Sequence, residues 1–532
     1  AMSAAALTLD QDIWRPKFNP WMIAAVVALA AFMEVLDTSI ANVALPYIAG
    51  NLAASNDDAT WVLTSYLVSN AIVLPISGWI AGRVGRKRFF MICLFLFTVT
   101  SFLCGTASSL GILLFYRVLQ GAGGGGLQPM AQAILADTFP PEKRGAAFAL
   151  YGITAVVAPT VGPTLGGWIT FNYAWRWIFL INIPVGLITL LLVNRFVDDP
   201  PYLAKLKAAG ARLDYIGISL LALGVGSLQV LLDKGQEEDW FGSRFITTLI
   251  IVSAVCLVAL VIWEWYQKAP VVNIRLFRSL NFSNASLQMF MLGFGYFSAL
   301  VMVPLFLQTL LRYTAQVAGF CISPGGLALL FMMPVVGFLT TKFQARRLIA
   351  FGWFYLAFAM FVSTIYTDLD VSFNSAMWLR VVQSAGLGFL FVPINLASYI
   401  GISPEENNSV AGLMNFMRNI GSSVGTSFVT TMLDRRSQYH QQILVNYIRN
   451  GNQNFQNSVA SMARHFSASG LSAHDARAQA VGRIYGRVLA EAGCLAYIDI
   501  YKVLAVASAI MFILAFTLKK NSPGGGGEIA VG

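Results

Sequence analysis

Charged residues are scarce in this chain. They make up 11% of its 532 residues, against roughly 25% in a soluble domain. Cysteine is rare too: Cys93, Cys104, Cys256, Cys321 and Cys494 stand singly, without metal-ligand pairing or the pattern of a disulfide framework. Histidine occurs three times, at His440, His465 and His474, all in one polar stretch. The apolar segments therefore lack the commonest general base, which argues against a membrane-embedded enzyme. The glycine run Gly121–Gly126 is not followed by Lys-Ser/Thr and has no strand before it, which excludes a phosphate-cradling loop and with it an ATP-driven pump. We expect no metal and no cofactor. The N-terminal region also lacks the ordered parts of a secretory signal, and the apolar run Trp21–Pro46 is too long for one, so it is expected to be retained.

What the chain does have is apolar residues, 57% of the total, with a mean hydropathy of +0.66. No soluble packing hides so much apolar side chain, so the fold class is an all-α membrane protein. About fourteen apolar runs approach the ~20 residues needed to cross a bilayer. The net charge of +10 does not indicate nucleic acid here. Arg83/Arg86/Lys87/Arg88, Lys143/Arg144, Lys205/Lys207/Arg212, Lys268/Arg275/Arg278, Lys342/Arg346/Arg347 and Lys519/Lys520 occupy alternate short loops, and Asp57/Asp58, Glu237/Glu238/Asp239 and Asp368/Asp370 occupy others. By the positive-inside rule both termini are expected to be cytoplasmic.

An internal repeat divides the chain. Gly78–Arg88 resembles Gly337–Arg347, and Arg117–Gly123 resembles Arg380–Gly386, at offsets of 259 (337 − 78) and 263 (380 − 117) residues. Two parallel six-helix halves follow, 20–197 and 284–520, with two further helices inserted at 213–266. Within the second half, the polar stretch 434–499 is expected to form a helical extension outside the membrane. Phe455, Val459, Met462 and Phe466 recur at helical spacing, and Ser472 with Asp475 starts a run containing Val481, Ile484 and Val488.

The chemistry is expected in the first span. Glu34 and Asp37 lie one turn apart in an apolar helix, where ionisable groups are costly and call for a function. Counting about 1.5 Å per residue from Met22 puts Glu34 roughly 18 Å and Asp37 roughly 22 Å into a core of about 30 Å. Arg117, entering from the other side, reaches the same level as Asp37. The cation favours the charged carboxylate and the apolar surroundings favour the neutral one, so Asp37 is poised to exchange a proton. The alternative is that Asp37 supports a backbone break near Asn42 and Pro46. Gln120, Arg380 and Arg418 are further candidates for substrate or charge contact, with Asn42. Gly78, Arg83, Gly85 and Arg86 make a tight basic turn that either anchors the chain or latches helices together. Gly162, Pro163, Gly166 and Gly167 allow close helix contact, as simple packing or as a hinge and seal between the halves.

In this order, the motifs Leu36–Pro46, Gly78–Arg88, Leu113-x-x-x-Arg117-x-x-Gln120-Gly121 and Gly162-Pro163-x-x-Gly166-Gly167 resemble the signatures of the fourteen-span drug:proton antiporters of the major facilitator superfamily. Trp175–Pro184, Ser227-Leu-Gln229 and Asn415-Phe-x-Arg418 resemble its EmrB-like group. Gly82 stands where the family usually carries Asp, and Ala158 where it carries Gly. The resemblance implies a major facilitator fold and export of lipophilic small molecules against protons. It makes Asp37 the proton-coupling acid, with Arg117 beside it and Glu34 as a further candidate. It also implies a bacterial inner-membrane location, an EmrA-like periplasmic membrane-fusion adaptor, a TolC-like outer-membrane channel, and the extension as the place of adaptor contact. Export of one endogenous metabolite or siderophore, proton symport of a nutrient, and a non-transporting receptor or scaffold are the other readings. The fifth-span signature speaks against symport.

Overall fold

The structure is a computed structural model and describes residues 16–201, 214–449 and 451–521. Lys205, Lys207 and Arg212 lie outside the described residues. The first half contains α1 (Pro20–Asn51), α2 (Asn56–Val84), α3 (Arg86–Thr106), α4 (Leu110–Gly124), α5 (Leu127–Thr138), α6 (Pro141–Asn172), α7 (Trp177–Leu180) and α8 (Asn182–Phe196). The inserted pair is α9 (Tyr215–Lys234) and α10 (Arg244–Tyr266). The second half contains α11 (Leu280–Thr309), α12 (Ala315–Leu339), α13 (Ala345–Tyr366), α14 (Phe373–Ser398), α15 (Asn407–Val445), α16 (Gln453–Ala468) and α17 (Ala473–Ala515). Many starts are set by side-chain caps: Ser55, Ser109, Ser279, Thr314 and Ser372 each accept a hydrogen bond from a first-turn amide.

Among the described residues, twelve helices are long and apolar enough to cross a membrane on their own. The two remaining crossings are disguised for different reasons. α4 and α5 form one bent span, because Gly125 and Gly126 keep right-handed helical torsions and the chain continues in the same sense. α15 is 39 residues long, but polar residues such as Asn415, Arg418 and Asn419 dilute its hydropathy. These polar groups point inward.

Packing follows the repeat. α1 packs on α6 and α11 on α15; the halves meet through α6 against α12 and α2 against α15, contacts that a two-fold axis interchanges. The inserted pair lies between the halves in sequence but not in space. α9 packs on the rim against α2 and α15, and α10 packs on α9. Gln229 and Ser423 exchange hydrogen bonds (2.9 and 3.1 Å), and Asp233 accepts from Thr64, so α9 touches both halves.

The extension grows out of the last two spans. α15 and α17 run on without a break and are tied by Arg436, whose Nε and Nη2 donate to Asp499 Oδ2 (2.8 and 2.5 Å), with His440 Nε2 2.7 Å from the same oxygen. α16 folds back on α17 through Phe455, Val459 and Ala480, flanked by Met462, Phe466 and Ile484. Ser472 caps α17 as its spacing implied, its hydroxyl donating to Asp475 Oδ2 (2.6 Å). Val481, however, points to solvent, because Ala480 takes the facing position and lets the helices approach.

Close helix approach generates a stability test. A Cβ added at Gly421 would collide with the Phe290 carbonyl, whereas one at Gly482 in the extension meets nothing within 4 Å. Gly421→Val should cost about 1–3 kcal/mol or more by overpacking and lower the thermal unfolding midpoint in detergent. Gly482→Ala should leave that midpoint unchanged or raise it, since a helical glycine costs about 0.5–1 kcal/mol relative to alanine.

Candidate functional site

Two polar clusters flank the same turn of α1. The first closes around Asp37, which is 2% exposed. Its Oδ2 accepts from Arg117 Nη1 (2.6 Å), and its Oδ1 accepts from Gln120 Nε2 (3.0 Å) and Asn182 Nδ2 (2.7 Å). Arg117 is held from behind, with Nη1 donating to Gln120 Oε1 (2.8 Å) and Nε to the Val62 carbonyl (3.0 Å). Ser101 Oγ accepts from Gln120 (3.2 Å) and Asn182 (3.0 Å) and donates to the Phe179 carbonyl (2.8 Å). Three donors face the carboxylate, an arrangement suited to its ionised form, with charge-assisted bonds offsetting part of the desolvation. The depth match between Asp37 and Arg117 is thus a direct contact.

The second cluster opens on a cavity. Glu34 Oε1 accepts from the Tyr66 hydroxyl and from Asn70 Nδ2 (3.0 Å each), and Oε2 accepts from Gln128 Nε2. Gln128 Oε1 in turn accepts from Arg418 Nη2 and from the Tyr151 hydroxyl (3.1 Å). Gln128 therefore bridges an acid on the first half to a cation on the second. Glu34, Thr38, Asn70 and Arg418 line a cavity of about 160 Å³ whose remaining wall is mostly apolar, including Leu292, Leu329, Met333 and Phe391. Ligand pockets for drug-sized molecules span roughly 300–1,000 Å³, so such a molecule needs the halves to spread. Tyr66 joins the clusters: its hydroxyl holds Glu34, and its ring lies 4.3 Å from the Arg117 guanidinium.

Below the cavity, on the face that carries the Arg83–Arg88 turn, polar residues join the halves. Gln132 Nε2 donates to Asn395 Oδ1 (3.0 Å), and Gln132 Oε1 accepts from Asn415 Nδ2 (2.6 Å). Arg86 Nη1 donates to Asp137 Oδ2 (2.5 Å), and Asn407 Nδ2 donates to Asp137 Oδ1 (2.6 Å). A Cβ at Gly78 would stand 2.8 Å from the Asn408 backbone, so glycine permits this approach. Gly85, at φ +98°, makes the turn that an L side chain would strain. Arg83 stacks on Trp79 at 3.9 Å. With Gly82 in place of an acid, Asp137 on α5 supplies the negative charge at this contact.

Other candidates fall elsewhere. Glu34 and Asp37 share one side of α1 but reach different partners. Asn42 is exposed and lies outside the cavity lining, because five residues past Asp37 turn the helix by about 140° away. Gly162 and Gly166 pack against Ser39 and Ile40 of α1, in their own half, and Pro163 is exposed, while Gly167 has only Val43, at 4.0 Å. The seam with the other half lies along α6 at Gly145 against Thr340, Gly152 against Met333 and Phe391, and Thr160 against Gly326. Arg380 is buried away from Arg117, at the corresponding place in the second half. Sequence reasoning passed over Asn182, Ser101, Tyr66, Gln128 and Asp137. The available signal was polar residues at mid-span, Asn182 within Trp175–Pro184 among them. Among the described residues no group of three or more His, Cys, Asp or Glu could hold a metal.

Comparison with known proteins agrees with this fold. Residues 27–426 match the family described as Major Facilitator Superfamily. The multidrug export protein EmrB of Haemophilus influenzae is 40% identical over 427 residues, covering 80% of this chain and 83% of that protein. The probable multidrug resistance protein EmrY of Escherichia coli is 33% identical over 500 residues, covering 94% and 95%. Among solved structures, the proton:xylose symporter XylE aligns with a TM-score of 0.57 at 15% identity, covering 91% of this chain and 96% of that one. At that identity the likeness speaks for fold alone.

The Arg86–Asp137 pair is 2% and 6% exposed at its side chains. Arg86→Ala leaves a buried carboxylate short of its partner and should cost about 3–5 kcal/mol. Adding Asp137→Ala should recover part of that loss. Thermal unfolding of the single and double variants measures the coupling, and additive losses would mean that the pair does not act as a unit.

Proposed function

This chain belongs to the major facilitator superfamily, a secondary transporter similar to the EmrB exporters, and from that premise we propose that it expels lipophilic toxic compounds in exchange for protons. The observation that carries the reading is the adjacency on α1 of a sealed acid, Asp37, and an acid that faces the cavity, Glu34, with Tyr66 touching both networks. A proton and a substrate can then compete without sharing one site. Neutralising Asp37 removes the strongest acceptor of Arg117, Gln120 and Asn182 at once. Those donors sit on two other helices, Arg117 and Gln120 on α4 and Asn182 on α8, so the loss reaches beyond α1. Substrate entering the cavity displaces the Glu34–Gln128–Arg418 bridge, the contact that joins the two halves at mid-depth.

The energetics are adequate. One elementary charge moving through 100 mV supplies about 2.3 kcal/mol, close to a fiftyfold concentration ratio, and a pH gradient adds to it. In this reading the face bearing the Arg83–Arg88 turn is cytoplasmic, as are both termini, and the membrane is a bacterial inner membrane. The halves 20–197 and 284–520 would move against each other, with Arg86, Asp137 and Asn407 holding their cytoplasmic ends together. The extension at 434–499 would meet a periplasmic adaptor that leads to an outer-membrane channel. No cofactor other than the proton gradient is needed.

The test is transport. A toxicity screen in an efflux-deficient host identifies a substrate, and everted vesicles then show whether its addition dissipates a preformed proton gradient. Wild type should dissipate it and Asp37→Asn should not, with uphill efflux falling to the leak level. Uphill efflux that survives in Asp37→Asn would exclude the assignment. Glu34→Gln should change the preference among cationic, neutral and anionic substrates more than it changes the maximal rate.

A further inference from the structure

The two halves share a hydrogen-bond frame and complete it differently. Arg117, Gln120 and Ser101 recur as Arg380, Gln383 and Ser363, at offsets of 263 (380 − 117), 263 (383 − 120) and 262 (363 − 101) residues. Gln383 Nε2 donates to Ser363 Oγ at 2.9 Å, as Gln120 Nε2 donates to Ser101 Oγ at 3.2 Å. The first frame closes on Asp37. In the second, Tyr296 and Tyr501 stand by the arginine, and among the described residues no carboxylate forms an ion pair with it. Arg380 is 3% exposed. Among the described residues its one hydrogen bond is long, Nη1 to Gln383 Oε1 at 3.4 Å, and its buried Nε has no partner. By contrast, Arg117 donates through both Nη1 and Nε. A buried guanidinium without a counter-charge is costly at this depth unless something else completes it.

Its position says what that is. Seven residues are nearly two helical turns, so Arg380 lies on the same face of α14 as Leu387, which lines the cavity with Phe391. At 1.5 Å per residue Arg380 is about 10 Å nearer the face opposite the Arg83–Arg88 turn. Tyr296 is part of the cavity wall, and its ring centroid is 5.9 Å from the Arg380 guanidinium. Gly325 leaves room for the side chain, since a Cβ there would stand 3.0 Å from Arg380 Cγ. Behind the tyrosine ring of the cavity wall thus stands a buried cation that no carboxylate pairs among the described residues. The cation in the cavity lining itself, Arg418, is already engaged by Gln128 beside Glu34.

We propose that Arg380 is the head-group subsite for an amphiphilic organic carboxylate whose apolar chain occupies the cavity. The carboxylate accepts from Nε and an Nη together, supplying the anion that Asp37 supplies in the first half. Tyr296 swings aside to admit it. The physiological meaning rests on the exporter reading, but binding does not depend on proton coupling.

The experiment uses the purified full-length protein in nanodiscs and equilibrium binding of radiolabelled laurate, with dodecanol and dodecyltrimethylammonium as chain-matched neutral and cationic competitors. Wild type should prefer laurate over dodecanol by about tenfold or more, the scale of a hydrogen bond to a charged group. Arg380→Gln should abolish that preference and leave competition by the cation unchanged, while Arg380→Lys should retain part of it. A wild type that does not discriminate laurate from dodecanol would overturn the proposal without recourse to any variant. So would a monodisperse Arg380→Gln protein that keeps the preference. Failure of the exporter reading appears separately, as absence of pH-driven flux in proteoliposomes, and leaves the binding result standing.

Discussion

A buried carboxylate and a buried guanidinium in contact inside a membrane constrain everything around them. Neither Asp37 nor Arg117 is tolerable at that depth alone, so each fixes the place of the other. Arg117 then needs Gln120 and the Val62 carbonyl, and Asp37 needs Asn182 and Gln120, which together draw four helices into one register. The glycines of α4 follow from the same demand. Added Cβ atoms at Gly121 or Gly124 would collide with Tyr66, so a bulkier helix could not bring Arg117 close to α2. The run Gly121–Gly126 is a packing surface as well as the bend between α4 and α5.

The repeat gains meaning from its asymmetry. Both halves carry the arginine–glutamine–serine frame, but one is completed by an internal acid and the other faces tyrosines. One frame thereby pairs its arginine with a carboxylate, and among the described residues the other does not. The two remaining mid-depth charges, Glu34 and Arg418, sit between them and are joined by a single amide, Gln128. Contacts across the seam include neutral amides, as at Gln132, Asn395 and Asn415, and small residues, as at Gly145. Such contacts can be made and broken at low cost, which a moving interface requires.

Much of this was legible in the sequence, because a bilayer turns composition into topology. The spans, the repeat and the Asp37–Arg117 pairing follow from hydropathy, spacing and depth alone. Rotation about a helix axis was less legible. Depth counting placed Glu34 and Asp37 on one side of α1, but not that one opens on a cavity and the other is sealed, nor that Asn42 turns away. Gly162 and Gly166 looked like a seam between halves because small residues mark any close approach. Which helix approaches depends on the fold, and here it is α1. Asp137 was invisible because an acid near a helix end is unremarkable until the partner helix is known.

The central claim is that occupancy of the cavity and protonation at Asp37 are linked. It is tested most directly by measuring proton release from purified protein in weakly buffered detergent solution when a transported compound is added. Wild type should release protons in proportion to the compound bound. Asp37→Asn should bind the same compound and release measurably fewer. Equal release from both proteins, at equal binding, would contradict the account.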